Sequence, residues 1–268
     1  MTSLTLTKHH GLGNDFLVLL DPDGKTEVTD AMVKAVCDRR EGIGADGLLH
    51  VIKASSGADV ELTVWNADGS IAETSGNGLR CMVQAAVDAG MAPDLIVRTG
   101  GQIRHLRVEP EAAPGLRQVQ AGMGIVQLGA EEHRLLEELG SSRARRADTG
   151  NPHIVWLVQE EPEMRWLQVA SRDIPGGPVN AEAIALSGPD QLRMWVWERG
   201  AGETLACGSG SVASAAVARS WGLVGDTVRV TNPGGDLVVH LGSDGEATLT
   251  GPAKFIGRIE IDAARISQ

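Results

Sequence analysis

Cys207 opens the run Cys207-Gly-Ser-Gly210, and Ser75 opens Ser75-Gly-Asn-Gly78. Residues 75–90 and 207–222 align without a gap at an offset of 132 (207 − 75), which sets Gly76, Gly78 and Gly90 on Gly208, Gly210 and Gly222. Each Gly-rich turn leads into a helical run, whose first amide N–H groups have no intrahelical partner and can hold an anion such as a carboxylate. A cysteine at that point has its thiolate favoured by the same amides and by the helix dipole. The plainer reading of Cys207 is a small inert thiol at a tight turn, and the surrounding glycines weigh against it. Two acid/base groups facing one carbon from opposite sides are what a two-base racemase needs, one removing a proton and the other delivering one. An amino-acid α-proton is so weakly acidic that such a site must also exclude water and meet the carboxylate with fixed dipoles. Ser75 does not fit as the second base, because a hydroxyl stays protonated near neutral pH unless strongly activated.

The elements that must carry these turns come in two similar sets. Leu17–Leu20, Leu48–Ile52, Val60–Val64, Ile96–Arg98 and Ile103–Val108 read as strands, rich in branched residues and bounded by Gly, Asp or Asn. Asp30–Asp38 and Leu79–Ala89 read as helices, the second closed by Gly90 as a C-cap. Glu109-Pro-Glu-Ala-Ala-Pro-Gly115 is the expected interdomain linker. Strands then return near Val119–Gly122, Ile154–Val158, Leu192–Glu198, Val228–Thr231 and Leu237–His240, with a helix over Ser211–Ser220. A second correspondence, Gly13-Asn-Asp-Phe-Leu-Val18 with Gly150-Asn-Pro-His-Ile-Val155, lies at an offset of 137 (150 − 13). Two matches in the same order point to two domains of one design rather than to chance likeness of turns. A pseudo-twofold pair would bring the equivalent turns face to face across a cleft.

Composition removes several classes. A net charge of −11 over 268 residues argues against gripping nucleic-acid phosphates or anionic lipid. The apolar runs are too short to span a bilayer, and the N-terminus lacks the charged-then-apolar order of a signal peptide. Cys37, Cys81 and Cys207 form no CxxC pair and no even set, so neither a disulfide framework nor a zinc site is expected, and a reducing cytosol suits them. Asn66-Ala-Asp-Gly69 reads as a turn, and turn chemistry alone accounts for Asp68 and Gly69. Glu198-Arg199 is read equally as an exposed ion pair or a ligand contact. His9, His10 and His153 take a structural hydrogen bond as the default. Arg39-Arg40 and Arg143 to Arg146 read as solvated faces.

Assembled, these segments resemble the diaminopimelate epimerases, the pyridoxal-independent enzymes of lysine and peptidoglycan precursor synthesis. The likeness runs nearly end to end through Lys8-His-His-Gly-Leu-Gly-Asn-Asp-Phe16, Asp38-Arg-Arg-Glu-Gly-Ile-Gly-Ala-Asp-Gly47, Asn66-Ala-Asp-Gly69 and Ser75-Gly-Asn-Gly78. It continues through Gly150-Asn-Pro-His153, Asn180 and Glu198-Arg-Gly-Ala-Gly-Glu-Thr-Leu-Ala-Cys-Gly-Ser-Gly210. The resemblance implies an α+β fold of two pseudo-symmetric β-roll domains, each wrapped around a central helix, with the active site in the interdomain cleft. The expected domains are 1–115 and 116–254, with a tail of about 255–268 packing back on the first. It further implies a homodimer acting on the small-molecule amino acid diaminopimelate with no metal and no organic cofactor, to which composition adds a cytoplasmic protein with no nucleic-acid or membrane partner.

By motif, Cys207 is one catalytic acid/base, and Ser75 holds the place of the other, which is Cys in the family. His153 and Glu198 are implied as important for activity. Gly76, Asn77, Gly208 and Ser209 would bind the α-carboxylate, and Asn14, Asn151, His153 and Glu198 would surround the reacting centre. Asn66, Asn180 and Arg199 would hold the distal groups, and Gly47 could contribute only backbone. The implied reaction converts LL- into meso-diaminopimelate, weakened here by Ser75, whether that serine is a replacement or a divergence. Two other readings stay open: a one-base lyase or dehydratase acting on a hydroxy amino acid, and a non-catalytic amino-acid-binding paralogue.

Overall fold

Segment 208–218 carries only Gly, Ala, Ser and Val, and segment 76–86 adds to its Gly, Ala and apolar residues a polar stripe of Asn77, Arg80 and Gln84 that is buried in the structure. Both are central helices. The computed structural model describes residues 3–72, 75–134 and 136–262. The chain divides into two compact units, the first running through Ala121 and resuming at Gly251, the second spanning Gly122–Thr250.

Unit 1 runs β1 (Ser3–Gly11), β2 (Asn14–Leu20), α1 (Asp30–Cys37), β3 (Gly47–Lys53), β4 (Val60–Asn66), α2 (Gly76–Asp88), β5 (Asp94–Thr99), β6 (Gln102–Val108) and β7 (Leu116–Ile125). Strand β1 pairs antiparallel with β2, β2 parallel with β3, β3 antiparallel with β4, β4 parallel with β5, and β5 antiparallel with β6. α1 packs Val33, Val36 and Cys37 against Leu17, Leu19 and Leu48, while α2 lies against the other side of the sheet, buried from Gly76 to Ala86.

Unit 2 repeats the plan. Its elements are β8 (Gln127–Glu132), β9 (Arg143–Asp148), β10 (Pro152–Leu157), α3 (Met164–Asp173), β11 (Asn180–Gly188), β12 (Gln191–Glu198), β13 (Gly202–Glu203), α4 (Gly208–Ser220), β14 (Thr227–Asn232), β15 (Gly235–Leu241) and the start of β16 (Glu246–Asp262), which runs on into unit 1 from Gly251. The pairings β9–β10, β10–β11, β11–β12, β12–β14 and β14–β15 follow the same sequence of antiparallel, parallel, antiparallel, parallel, antiparallel. Helix α3 packs Leu167 and Ala170 on Ile154, Trp156, Ala181 and Ala183, and α4 is buried from Gly208 to Ala218. The two central helices also end alike. Gly90 (φ 97°) and Gly222 (φ 73°) take the left-handed conformation, and Met91 N and Leu223 N donate back to Ala86 O and Ala218 O in Schellman motifs.

Several elements outran the sequence pattern. Strands β1, β8, β9 and β11, helix α3 and the long β16 mix polar, charged or small residues into their runs and so give weak local signals. The segment 109–115, expected as a linker, is held on unit 1 by a bridge between Ala113 and Leu116 and by Phe255 N donating to Gly115 O; the change of unit falls within β7. Residues 254–262 of β16 pair with β1, while 263–268 of the expected tail lie outside the described residues. Arg143 and Arg146, read as solvated charges, belong to β9; Arg143 lies over the Trp221 ring at 4.7 Å and Arg146 pairs with Glu132 at 3.1 Å.

Candidate active site

Both Gly-rich turns are N-caps. Ser75 (φ −145°, ψ 112°) accepts from Gly78 N at 3.0 Å, and Cys207 (φ −121°, ψ 114°) accepts from Gly210 N at 3.4 Å. A Cβ on Gly78 would come within 3.1 Å of Leu49 Cδ2, and one on Gly210 within 2.7 Å of Glu182 Oε1. The two helix starts are therefore laid onto equivalent strands, against a hydrocarbon in unit 1 and a carboxylate in unit 2.

In unit 2 the parallel register sets His153 opposite Asn180 and Val155 opposite Glu182. One residue beyond the Ala181–Trp197 pair of β11 and β12 stand Asn180 and Glu198. Strand alternation turns His153, Glu182 and Glu198 toward α4, while Ile154, Ala181 and Trp195 face α3. Cys207 Sγ donates to Glu198 Oε2 at 3.1 Å, and Glu198 Oε1 accepts from Thr204 Oγ1 at 2.5 Å. His153 Nδ1 lies 2.7 Å from Glu182 Oε1, and Nε2 lies 3.1 Å from Asn151 Oδ1. Asn151 Nδ2 reaches Ser209 Oγ at 3.5 Å, and Ser209 Oγ lies 3.5 Å from Cys207 Sγ. A continuous polar chain thus runs from Glu182 through His153, Asn151, Ser209 and Cys207 to Glu198. Asn180 is fixed beside it, its Nδ2 donating to Pro152 O and its Oδ1 accepting from Arg199 N.

Electrostatics here run against the thiolate expected from the helix start. Burial first, then the carboxylates of Glu198 and Glu182, push the Cys207 thiol well above its ordinary value. The contacts with Ser209 Oγ and Gly210 N do not offset them, so Cys207 holds its proton and shares it with Glu198. Burial also raises Glu198, and its bonds from Thr204 and Cys207 only partly oppose that.

Unit 1 builds its turn from amides and paired charges. Asn77 Nδ2 donates to Asn14 Oδ1 at 3.1 Å, and Asn14 Nδ2 donates to Asp46 Oδ2 at 2.8 Å. Arg39 bridges Asp46 and Asp15, and Lys8 closes on Asp15 at 2.9 Å. Burial opposes ionisation of Asp15, but Arg39 and Lys8 outweigh it and hold the carboxyl below its usual range. Arg80, fully buried, donates to Gly76 O, Asn77 Oδ1 and Pro252 O; burial lowers its pKa to about 10. Gly47 offers backbone only, since a Cβ there would lie 2.2 Å from Trp65 O. Asn66 Nδ2 donates to Ser70 Oγ, while Asp68 Oδ1 takes Ser70 N and Oγ, which is turn chemistry as read. Cys81 is buried within α2, its thiol pushed up to about 12 by burial. His9 makes the structural bonds expected of it, to Gln84 and Thr7.

Sequence reasoning missed Glu182, Arg80 and Asp46 and read Arg39 as merely solvated. The available signal was a charge inside an apolar stretch: Glu182 within Asn180–Leu186, Arg80 within Gly78–Val83. Among the described residues, no group of three or more His, Cys, Asp or Glu is placed to hold a metal ion, and no helix is long and apolar enough to cross a membrane.

A sheet of this order against a capped central helix, made twice, is a fold that this chain shares with solved structures. A Bacillus anthracis phenazine biosynthesis protein of the PhzF family matches with a TM-score of 0.73 at 14% identity, over 98% of this chain and 100% of that one. A hydroxyproline epimerase from Agrobacterium vitis matches with a TM-score of 0.67 at 17% identity, over 98% and 94%. The chain belongs to the diaminopimelate epimerase family, whose model, described as "Diaminopimelate epimerase", matches residues 6–128 and 146–256. Curated relatives of that name from Streptomyces coelicolor (35% identity; 98% of this chain, 97% of the relative) and Thermobifida fusca (36%; 98% and 100%) align over nearly their whole lengths.

Proposed function

We propose that this chain is an isomerase that epimerises diaminopimelate between its LL and meso forms by α-proton transfer, with Cys207 as the acid/base for one face of Cα and Ser75 in the place of the other. The observation that carries the reading is the Cys207–Glu198 pair, a protonated thiol donating at 3.1 Å to a carboxylate at a helix start. Passing the thiol proton to Glu198 generates the thiolate. Sγ then takes the α-proton, and the C–H electrons delocalise into the substrate carboxylate. The early amides of α2 and α4, at Gly76, Asn77, Gly208 and Ser209, supply the dipoles for that developing charge. Asn14, Asn151 and His153 are the groups about the reacting centre, and Asn66, Asn180 and Arg199 those for the distal end, with Gly47 giving backbone.

Ser75 limits this chemistry. Its hydroxyl already accepts from Gly78 N and, among the described residues, has no carboxylate contact comparable to that of Cys207. A proton removed by Cys207 is then returned mainly to the face it left, giving solvent exchange without inversion. Ser75→Cys should raise epimerisation by about 10²- to 10⁴-fold, the range of a positioned acid/base, followed by NMR of Cα deuteration and by the ratio of epimers. The reading fails if Ser75→Cys changes nothing while Cys207→Ala also leaves activity intact. The family likeness also supports a cytoplasmic homodimer, which light scattering of the purified chain tests for its oligomeric part.

A further inference from the structure

We propose that Glu182 is a positioning residue for His153, fixing the imidazole through Nδ1 and so setting the polar chain that reaches Cys207. The catalytic consequence rests on the epimerase reading above. The side chains of Glu182 and His153 are both 0% exposed, and their 2.7 Å contact pairs a carboxylate with an imidazole whose other nitrogen meets the amide of Asn151. In sequence Glu182 lies among Ala181, Ala183 and Ile184, and at the equivalent place of unit 1 the hydrocarbon Leu49 packs at no electrostatic cost. Its second oxygen, Oε2, has no hydrogen-bond partner among the described residues. A buried carboxylate kept half-satisfied is a poor stabilising device and a common mark of function.

Position supports the same assignment. A Cβ on Gly210 would strike Glu182 Oε1, so the first turn of α4, which Cys207 caps, is seated on this carboxylate. A carboxylate at Nδ1 calls for hydrogen on that nitrogen and orients the ring so that Nε2 lies 3.1 Å from Asn151 Oδ1. Asn151 in turn meets Ser209, next to the thiol. The other titratable groups on this face are Glu198 from β12 and Cys207 from α4; across β9, His153 pairs with Ala147, which carries no charge. Unit 1 supplies an internal control, with Phe16 and Leu49 at the corresponding register positions. A structural need common to both units would have kept a polar pair in each.

The test combines Glu182→Ala and Glu182→Gln in the full-length chain, read by ¹⁵N NMR of the histidine rings and by Cα deuterium exchange of diaminopimelate. Glu182→Ala should lower kcat about 100-fold with KM changed less than about threefold, and Glu182→Gln, which still accepts from Nδ1–H, should restore at least about tenfold of that loss. The Nδ1–H signal of His153 should persist in the Gln variant and disappear in the Ala variant. In a His153→Gln background, Glu182→Ala should cost less than about threefold more, the signature of residues acting as a unit. The proposal is overturned if both variants lower only the melting temperature, or if the two losses multiply independently. It is overturned equally if the unaltered chain lacks hydrogen on His153 Nδ1, an observation that stands even where Glu182→Ala fails to fold. Absence of any diaminopimelate turnover, even with Ser75→Cys, would defeat the epimerase reading while leaving the NMR arm to decide the Glu182–His153 coupling.

Discussion

The starts of α2 and α4 share backbone, cap and glycine spacing, yet their surroundings have opposite electrical character. Beneath α4 lie three acids in one buried neighbourhood, Glu182, Glu198 and the Cys207 thiol, and two of them, Glu198 and Cys207, are pushed toward their protonated forms. Around α2 lie Arg80, Arg39 and Lys8 with Asp15 and Asp46, while Leu49 and Phe16 fill the places of Glu182 and His153. One design of helix start thus lies beside a thiol and two carboxyl groups in unit 2 and beside cations and amides in unit 1. The difference teaches that a duplicated scaffold fixes where chemistry can occur, while a few inward-facing strand positions decide which chemistry it is.

The strongest way to break this contrast is to remove the thiol. Cys207→Ala should reduce Cα exchange of diaminopimelate at least about 10³-fold, roughly 4 kcal/mol, because the equivalent cap in unit 1 is the hydroxyl of Ser75; exchange surviving at the level of the unaltered chain would erase the asymmetry. Next in size is the reverse transplant. Leu49→Glu buries a carboxylate without the His153 partner and should cost about 3 kcal/mol or more in urea unfolding, and a neutral result would mean that the α2 side already tolerates an acid.

Glu198→Gln removes the acceptor of the thiol proton and should lower exchange about 100-fold. The same variant tests the pH dependence. Glu198 acts when ionised, and burial raises it above its ordinary 4.5, so exchange should fall as pH drops through that raised value and the acid limb should vanish in the Gln variant. The stability signs differ between units. Glu198, raised, contributes stability below 4.5 that is lost as pH rises through its folded value; Asp15, lowered, contributes stability above 3.8 that is lost as pH falls through its folded value. Smallest is the cap itself: Ser75→Ala should cost about 1 kcal/mol of stability, measured by thermal unfolding, and no loss would mean the Gly78 N bond contributes nothing.

By itself the sequence determined the duplication, the two capped helix starts, the glycine stops at Gly90 and Gly222 and the unequal pair Ser75 and Cys207. Those features are legible because they depend on local rules: which residues cap a helix, which accept a left-handed conformation, and where apolar runs recur. Tertiary structure alone decided the protonation of Cys207, the pairing of His153 with Glu182 and the Asp46–Asn14–Asn77 link. A helix start viewed in isolation favours a thiolate, but burial and two carboxylates delivered by β11 and β12 reverse that sign. Glu182 lies 29 residues from His153 along the chain, and only the parallel register of β10 with β11 brings them to 2.7 Å. Long-range strand pairing has no local signature, and the electrostatics of a buried group are set by whatever that pairing places beside it.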